Sequence, residues 1–393
     1  MTLELPAWYY NVAESALGFP LDSRQARISI GEKINRLRSM FFDDNAAFAR
    51  TRKPYLDDDA FLRAYFVYFT SANVLKLYRP LQEWAVNTEP SFPLRICDVG
   101  CGPGTGLLGI TGWKHARGVS VPVHYTGIDR SGSAVRFSRK IHDALSRTVP
   151  PSLREEILSC EFIHGDLDGM PNRLQDTFDL VLVMNTLNEL SREKQRAFFD
   201  CLPTLLSPRG FLLLVEPAHR IASRRLLEAR NHLVESGWTV YSPCFRQEYC
   251  PALEQERDWC HTEDAWTRPA FLRLLDRHTG SVKLTLKYSY MLLNRHGETL
   301  ASRLGLANLE RVVSTPFHEK GRLRLFTCGS KGRHLMELNR RDISPSNKPY
   351  KKLRRYDIAV VEGTADKISF RKVLKDSRVE RVEPTPVNAD GKA

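Results

Sequence analysis

The segment Asp98–Gly106, DVGCGPGTG, limits what the chain can fold into more than any other. It closes a short apolar run, LRICDVG from Leu94, and its glycines at 100, 102 and 104 allow a tight turn and a close ligand approach that a Cβ would block. A glycine-rich turn from strand to helix is common to many nucleotide-binding folds. This one is not a phosphate loop, because no Gly-Lys-Ser/Thr comes after it, and it meets the dinucleotide fingerprint G-x-G-x-x-G only loosely.

The segments beyond the turn are more informative. VHYTGID (123–129), CEFIHGDL (160–167), FDLVLVMN (178–185) and GFLLLVEP (210–217) read as further strands, and SREKQRAFFDCLPTLL (191–206) as an amphipathic helix between the last two. Near-continuous apolar character in FDLVLVMN suits a parallel strand buried on both faces. Strands alternating with helices predict a doubly wound α/β sheet. Before it, residues 1–90 read as a helical region, in which Ala60–Trp84 keeps apolar residues at helical spacing with one break at Pro80. The rest divides into an α/β domain over 91–240, a Cys-rich region over 241–335 with strands returning to the sheet (KLTLKYSYMLLNR and RLRLFTCG), and a basic extension over 336–393 whose end is expected to be disordered.

Residues 94–217 resemble the class I S-adenosylmethionine (SAM)-dependent methyltransferases, on the glycine turn together with Asp129 closing the second strand and Asp166 in GDL closing the third. The resemblance implies a SAM site. Asp98, Gly100, Cys101, Gly102 and Gly104 would line the methionine and ribose, Asp129 with Arg130 would bind the ribose, Asp166 and Leu167 would flank the adenine, and Asn185 would lie beside the sulfonium. The fourth strand ends MNTLNEL, not Asn/Asp-Pro-Pro-aromatic, which disfavours methylation of an exocyclic base amine by that arrangement. Asn188 and Glu189 are the polar candidates there, and no residue is assigned as catalytic.

Charge and cysteines point elsewhere. The chain carries a net charge of +12, and the stretch from Lys320 to Ala393 alone holds 19 Lys/Arg against 9 Asp/Glu. Its densest piece, KPYKKLRR, sets Lys348, Lys351, Lys352, Arg354 and Arg355 beside Tyr350 and Tyr356, a pattern suited to a phosphate backbone with aromatic residues as stacking or packing elements. The N-terminus, MTLELPAWYY, has neither a basic start before an apolar run nor an early Arg, so a cytoplasmic, reducing location is expected, with a mitochondrial matrix location only after removal of a presequence. No apolar run approaches the roughly 18 residues of a membrane span. Under reducing conditions clustered cysteines favour metal binding or redox chemistry. Cys244, Cys250 and Cys260 follow C-x5-C-x9-C, and Cys328 lies far along the chain. Four thiolates can close around zinc or an iron–sulfur cluster, and spacing wider than a C-x2-C knuckle suits the larger object. His261 is a possible substitute ligand, and Cys97, Cys101, Cys160 and Cys201 read as packing residues.

A SAM-type fold followed by P-C-x5-C-P, then W-C-H, then a distant Cys before a basic tail is similar to the ribosome-associated methyltransferase-like family of bacteria and mitochondria. Tyr55, Leu56, Ala64, Tyr65, Arg79 and Pro80 also fit its pattern, so the resemblance spans roughly 50 to 360. It implies a [4Fe–4S] cluster on Cys244, Cys250, Cys260 and Cys328, and binding to the small ribosomal subunit and its rRNA during assembly or translation; separately, a monomer is expected. The x9 gap before Cys260 is longer than in the mitochondrial members. An active SAM-dependent rRNA methyltransferase is the alternative. A small-molecule methyltransferase would leave the cysteines and the basic tail unexplained.

Overall fold

The computed structural model describes residues 2–42, 54–86, 93–155, 157–166, 174, 176–280, 282–367 and 370–384. The chain forms two compact units, one from Met1–Leu81, Pro90–Glu216 and Asp264–Leu286, the other from Gln82–Glu89, Pro217–Glu263 and Lys287–Ala393.

The first unit is built on five parallel strands: β1 (Leu94–Val99), β2 (Val123–Asp129), β3 (Ile157–His164), β4 (Phe178–Met184) and β5 (Leu206–Pro217). Their spatial order is β3-β2-β1-β4-β5. The chain runs outward from β1 to β3 and then crosses back to place β4 on the other side of β1. This reversal opens a crevice beyond the carboxyl ends of β1 and β4, and it makes the unit the doubly wound, class I methyltransferase-like sheet expected. Burial explains which strands were readable: β4 is buried at all but one position, whereas only Phe162 is buried in β3. With its weaker apolar signal, β3 begins and ends three residues before the expected 160–167.

Helices follow β1 (Thr105–Arg117) and β2 (Gly132–Thr148), the second capped by the Ser131 hydroxyl, which accepts the Ala134 N–H. The helix before β5, Arg192–Leu205, is capped in the same way by Ser191. The N-terminal region is helical as expected, but Ala60–Trp84 is not one helix broken at Pro80. It starts at Asp59, capped by Asp58, and passes through a π turn over Phe66–Thr70 and a 3-10 turn over Val74–Leu77. Pro80 sits in the first turn of the last piece, Tyr78–Trp84, where its missing N–H costs nothing.

The second unit contains the helix Arg220–Glu235, β6 (Thr239–Ser242), the first half of β7 (Thr262–Ala265) and, from Lys287 on, β8 (Thr285–Asn294), which is antiparallel to β6. It also contains a separate sheet of β9 (Leu309–Val312), β10 (Phe317–Glu319), β11 (Arg322–Gly329), β12 (Gly332–Asn339), β13 (Ile358–Glu362), β14 (Ala365–Asp366), β15 (Arg371–Val373) and β16 (Arg378–Val382). The order is β14-β15-β12-β11-β9-β13-β16, with β10 on β11.

This corrects the expectation that RLRLFTCG returns to the α/β sheet: it is a central strand of the second sheet. In β11 Leu323 and Leu325 are buried while Arg322 and Arg324 alternate with them. That pattern suits an antiparallel sheet covered on one face, not a parallel strand covered on both. The basic extension is likewise folded. Tyr350, Leu353, Val361, Val373 and Val379 join Leu323, Leu325 and Met336 in one core. Of the last dozen residues, EPTPVNADGKA and its neighbours, expected to be disordered, Val382 ends β16 and those from 385 lie outside the described residues.

Candidate functional site

The crevice of the first unit is a cavity of about 250 Å³. Gly100 opens its floor with φ +76°, and a Cβ there would lie 2.2 Å from the Thr186 hydroxyl, so both the backbone and the approach of the turn after β4 require glycine. Gly102 donates its N–H to a carboxylate oxygen of Asp129 at 2.8 Å, and the other oxygen accepts the Ser131 N–H at 2.7 Å. Asp129 therefore joins the turns after β1 and β2. Burial pushes its carboxyl above the ordinary carboxylate range, and the two N–H groups oppose that shift.

On the opposite wall Asn185 ends β4 in the left-handed region, φ +56°, with its N–H bonded to Val215 O. Such strain in a non-glycine residue is held only by surrounding structure and tends to mark sites. Glu216, at the end of β5, accepts the Leu187 N–H at 2.9 Å and so fixes the turn after β4. That turn aims Glu189 at the cavity, where its carboxylate accepts the Tyr55 hydroxyl at 3.2 Å with the Arg130 guanidinium 3.7 Å away. Burial pushes Glu189 up to about 7; Arg130 lowers it, Asp129 raises it and Tyr55 lowers it.

Of the residues expected at the cofactor, Gly100, Gly102, Asp129, Arg130, Asp166 and Asn185 line this cavity. Asp98, Cys101 and Gly104 lie behind it. Asp98 accepts the Tyr125 hydroxyl at 2.5 Å, and burial pushes its carboxyl up to about 7. A Cβ on Gly106 would lie 2.1 Å from that carboxylate, so Asp98 braces the turn from below. Cys101 is buried with its thiol toward Gly102 O, and Gly104 caps the helix after the turn. Leu167 lies outside the described residues. Sequence reasoning about the cofactor missed Tyr55, Leu56 and Tyr65, which also line the cavity, as does Glu189, one of the two polar candidates after the fourth strand. A signal existed for the first three, because they belong to the N-terminal pattern that carried the family resemblance. Carboxylates at 129, 166 and 189 facing aromatic walls suit a ligand with hydroxyls and a cationic centre.

In the second unit Cys244, Cys250, Cys260 and Cys328 line a single cavity, together with Trp259 and Tyr356. Cys328 is held in β11 between Arg311 of β9 and Arg333 of β12, its register partners. The Cys250 N–H donates to the Asn231 side-chain oxygen at 3.2 Å, and the Cys260 thiol lies 3.9 Å from the Tyr356 hydroxyl. Burial pushes the Cys260 thiol up to about 12 and Cys250 up to about 11, and in both cases neighbouring thiols add to the rise. Cys328 is raised well above the ordinary range by burial and by the other three. Four cysteines on one cavity wall are a donor set of the kind that holds a thiolate-bound metal centre. Among the described residues no group of three or more His, Cys, Asp or Glu converges on a single metal ion. His261 is not on the cavity wall. Its Nε2 pairs with Glu263 at 3.1 Å, and burial and Arg355 bring it down to about 4.

Of the basic run, Lys348, Lys351, Lys352 and Arg354 are exposed. Arg355 is not free for a phosphate, since its Nε donates to His261 O at 3.2 Å. Tyr350 and Tyr356 are buried, and the Tyr350 hydroxyl donates to Met336 O, so both rings pack instead of stacking on bases.

A protein-family model described as the mitochondrial small ribosomal subunit Rsm22 matches residues 60–357. Among solved structures, a ribosomal protein L11 methylase from Lactobacillus delbrueckii subsp. bulgaricus is 11% identical with a TM-score of 0.31, over 56% of this chain and 78% of that one. A magnesium protoporphyrin IX methyltransferase from Synechocystis PCC 6803 is 14% identical with a TM-score of 0.33, over 66% of this chain and 96% of that one. No curated protein sequence matches the chain. Among the described residues no helix is long and apolar enough to cross a membrane.

Proposed function

The chain belongs to the Rsm22 family of the mitochondrial small ribosomal subunit, and from that membership we propose a ribosome-associated, methyltransferase-fold factor that binds SAM, carries a [4Fe–4S] cluster and contacts small-subunit rRNA. It acts as a monomer in assembly or translation, in the compartment where that subunit is built.

The observation that carries the SAM part is the cavity at the strand reversal, where Asp129 ends β2, Asp166 follows the adjacent β3, and Gly100 leaves room for a ligand backbone. SAM would add a transferable methyl group on a sulfonium, a cation favoured among these carboxylates. Asp129→Asn keeps the side chain's size and one backbone bond but loses the charge-assisted pair to a ribose diol. SAM affinity measured by calorimetry is expected to fall about 100-fold, with the melting temperature little changed. An active rRNA methyltransferase is the second reading, favoured by Glu189, a carboxylate aimed into the cavity that could accept a proton. Particle binding that survives Asp129→Asn supports the assembly role, and binding that requires SAM supports the enzyme.

A cluster, rather than one zinc ion, is supported by the wide sequence spacing of four cysteines that line one cavity. The cluster would tie residues 244–260 to β11 and so orient the basic surface beside it.

Contact with rRNA would fall to Lys348, Lys351, Lys352 and Arg354, which extend from the surface of the second unit. Reversing the charge of Lys351, Lys352 and Arg354 is expected to weaken co-sedimentation with small subunits. It should also flatten the salt dependence of log K by about 0.7–0.9 for each phosphate no longer neutralised. An unchanged slope would assign these residues to solubility.

A further inference from the structure

Arg230 is among the most buried side chains of the protein, 1% exposed, midway along the helix Arg220–Glu235. Its guanidinium reaches into the segment that carries Cys244 and Cys250. Nη2 donates to Arg246 O at 2.7 Å, and Nη1 donates to Glu248 O and, at 2.8 Å, to the side-chain oxygen of Asn231. All three acceptors are neutral, Nε has no partner, and no carboxylate among the described residues pairs with this cation.

Half-buried Arg224 also donates only to backbone carbonyls, at Ala252, Leu253, Gln255 and Asp258, but four other arginines near the cysteines differ. Arg311 is paired with Glu83, Arg333 with Asp258, Arg246 with Glu248 at 3.3 Å, and Arg355 lies 3.7 Å from Glu263. A buried guanidinium without a counter-charge is strongly disfavoured. The nearby group able to supply one is the cysteine set: the Asn231 oxygen that accepts from Arg230 also accepts the Cys250 N–H. Neutral thiols would leave the cation uncompensated, whereas four thiolates on a metal centre keep a net negative charge.

We propose that Arg230 is the counter-ion of an anionic metal–thiolate centre on Cys244, Cys250, Cys260 and Cys328. This inference rests on the metal-site reading above and adds a residue to it. Arg230 would favour the more negative state of the centre, slowing metal loss and, for an iron–sulfur cluster, raising its reduction potential. Its hydrogen bonds to Arg246 O and Glu248 O would also hold the ligand-bearing segment in shape before the metal arrives.

The test compares the full chain with Arg230→Lys and Arg230→Gln, purified without oxygen. Glutamine keeps an N–H donor toward the carbonyls but no charge; lysine keeps the charge. Arg230→Gln is expected to lose metal to a chelator about tenfold faster and, if iron is bound, to show a lower midpoint potential in a dye-mediated titration, while Arg230→Lys stays near the parent. A folded Arg230→Gln with unchanged metal loss and unchanged potential overturns the proposal, as does Arg230→Lys behaving like Arg230→Gln, which would assign the arginine to packing alone. If Arg230→Gln does not fold, the lysine variant decides: parent-like metal retention supports the counter-ion, and rapid loss overturns it. A parent protein that holds no metal removes the metal-site reading itself, and the inference with it.

Discussion

Cys328→Ser is expected to abolish the proposed metal centre and to lower the melting temperature by about 10 °C or more, a loss of several kcal/mol in a unit of this size. Serine is nearly isosteric with cysteine, so packing in β11 should survive while the ligand is lost. The effect should exceed that of an ordinary buried substitution because of where Cys328 sits. Cys244, Cys250 and Cys260 all lie in one segment, but Cys328 belongs to a central strand of the second sheet. A metal centre that includes it ties that segment to the sheet. Without it, the three remaining cysteines lack the fourth ligand that closes the site, and burial favours the neutral thiol at Cys250 and Cys260. Calorimetry together with hydrogen exchange in residues 244–260 checks this. Parent-like protection and a midpoint within about 2 °C would mean that Cys328 is a packing residue.

The second large effect is expected at Glu83, which is fully buried in the second unit. Its carboxylate accepts Arg311 Nη1 at 2.8 Å, Arg311 Nη2 at 3.3 Å and the Tyr290 hydroxyl at 2.8 Å. Arg311 in turn donates Nε to Pro243 O and lies 5.3 Å from the rings of both Phe245 and Tyr356. Glu83→Ala leaves this guanidinium buried without its counter-charge, which costs about 3–5 kcal/mol. The double variant Glu83→Gln, Arg311→Met removes both charges and should be less destabilised than the sum of the two single changes, by about 1 kcal/mol or more. Because Arg311 also lines the cysteine cavity, metal retention should fall with Glu83→Ala. Denaturant unfolding supplies the cycle. Additive effects would show that the pair does not act as a unit.

Neither Glu83 nor Arg311 is conspicuous in the sequence. Glu83 falls in a stretch whose apolar spacing reads as core helix, and its partner is 228 positions away. Pairings of that kind carry no local signal. The legible features were those set by local physics. The apolar run of β4 and the glycine turn after β1 lead directly to the doubly wound sheet, and the acids that end β2 and follow β3 do line its crevice. Asp98 differs because its neighbour in space, Tyr125, comes from the adjacent strand and holds the carboxylate away from the cavity. Tyr55 and Tyr65 reach the crevice from the N-terminal region by tertiary packing alone.

In the C-terminal part, high net charge masks the alternation of Arg and Leu in β11 and the buried Tyr350 and Tyr356. A segment can be strongly basic and still have a core if its apolar residues keep a period of two. The same tyrosines show the limit of reading aromatics in a basic run as nucleic-acid contacts, since Lys348, Lys351, Lys352 and Arg354 face solvent while the rings supply the packing.

The measurement that tests the account most directly is a visible spectrum with iron, sulfide and zinc analysis of the full chain purified without oxygen. A cluster on Cys244, Cys250, Cys260 and Cys328 predicts a brown protein with a broad thiolate-to-iron absorption and about four iron and four sulfide per chain. The colour should be lost in Cys328→Ser. A colourless protein, or one holding zinc in place of iron, would contradict it.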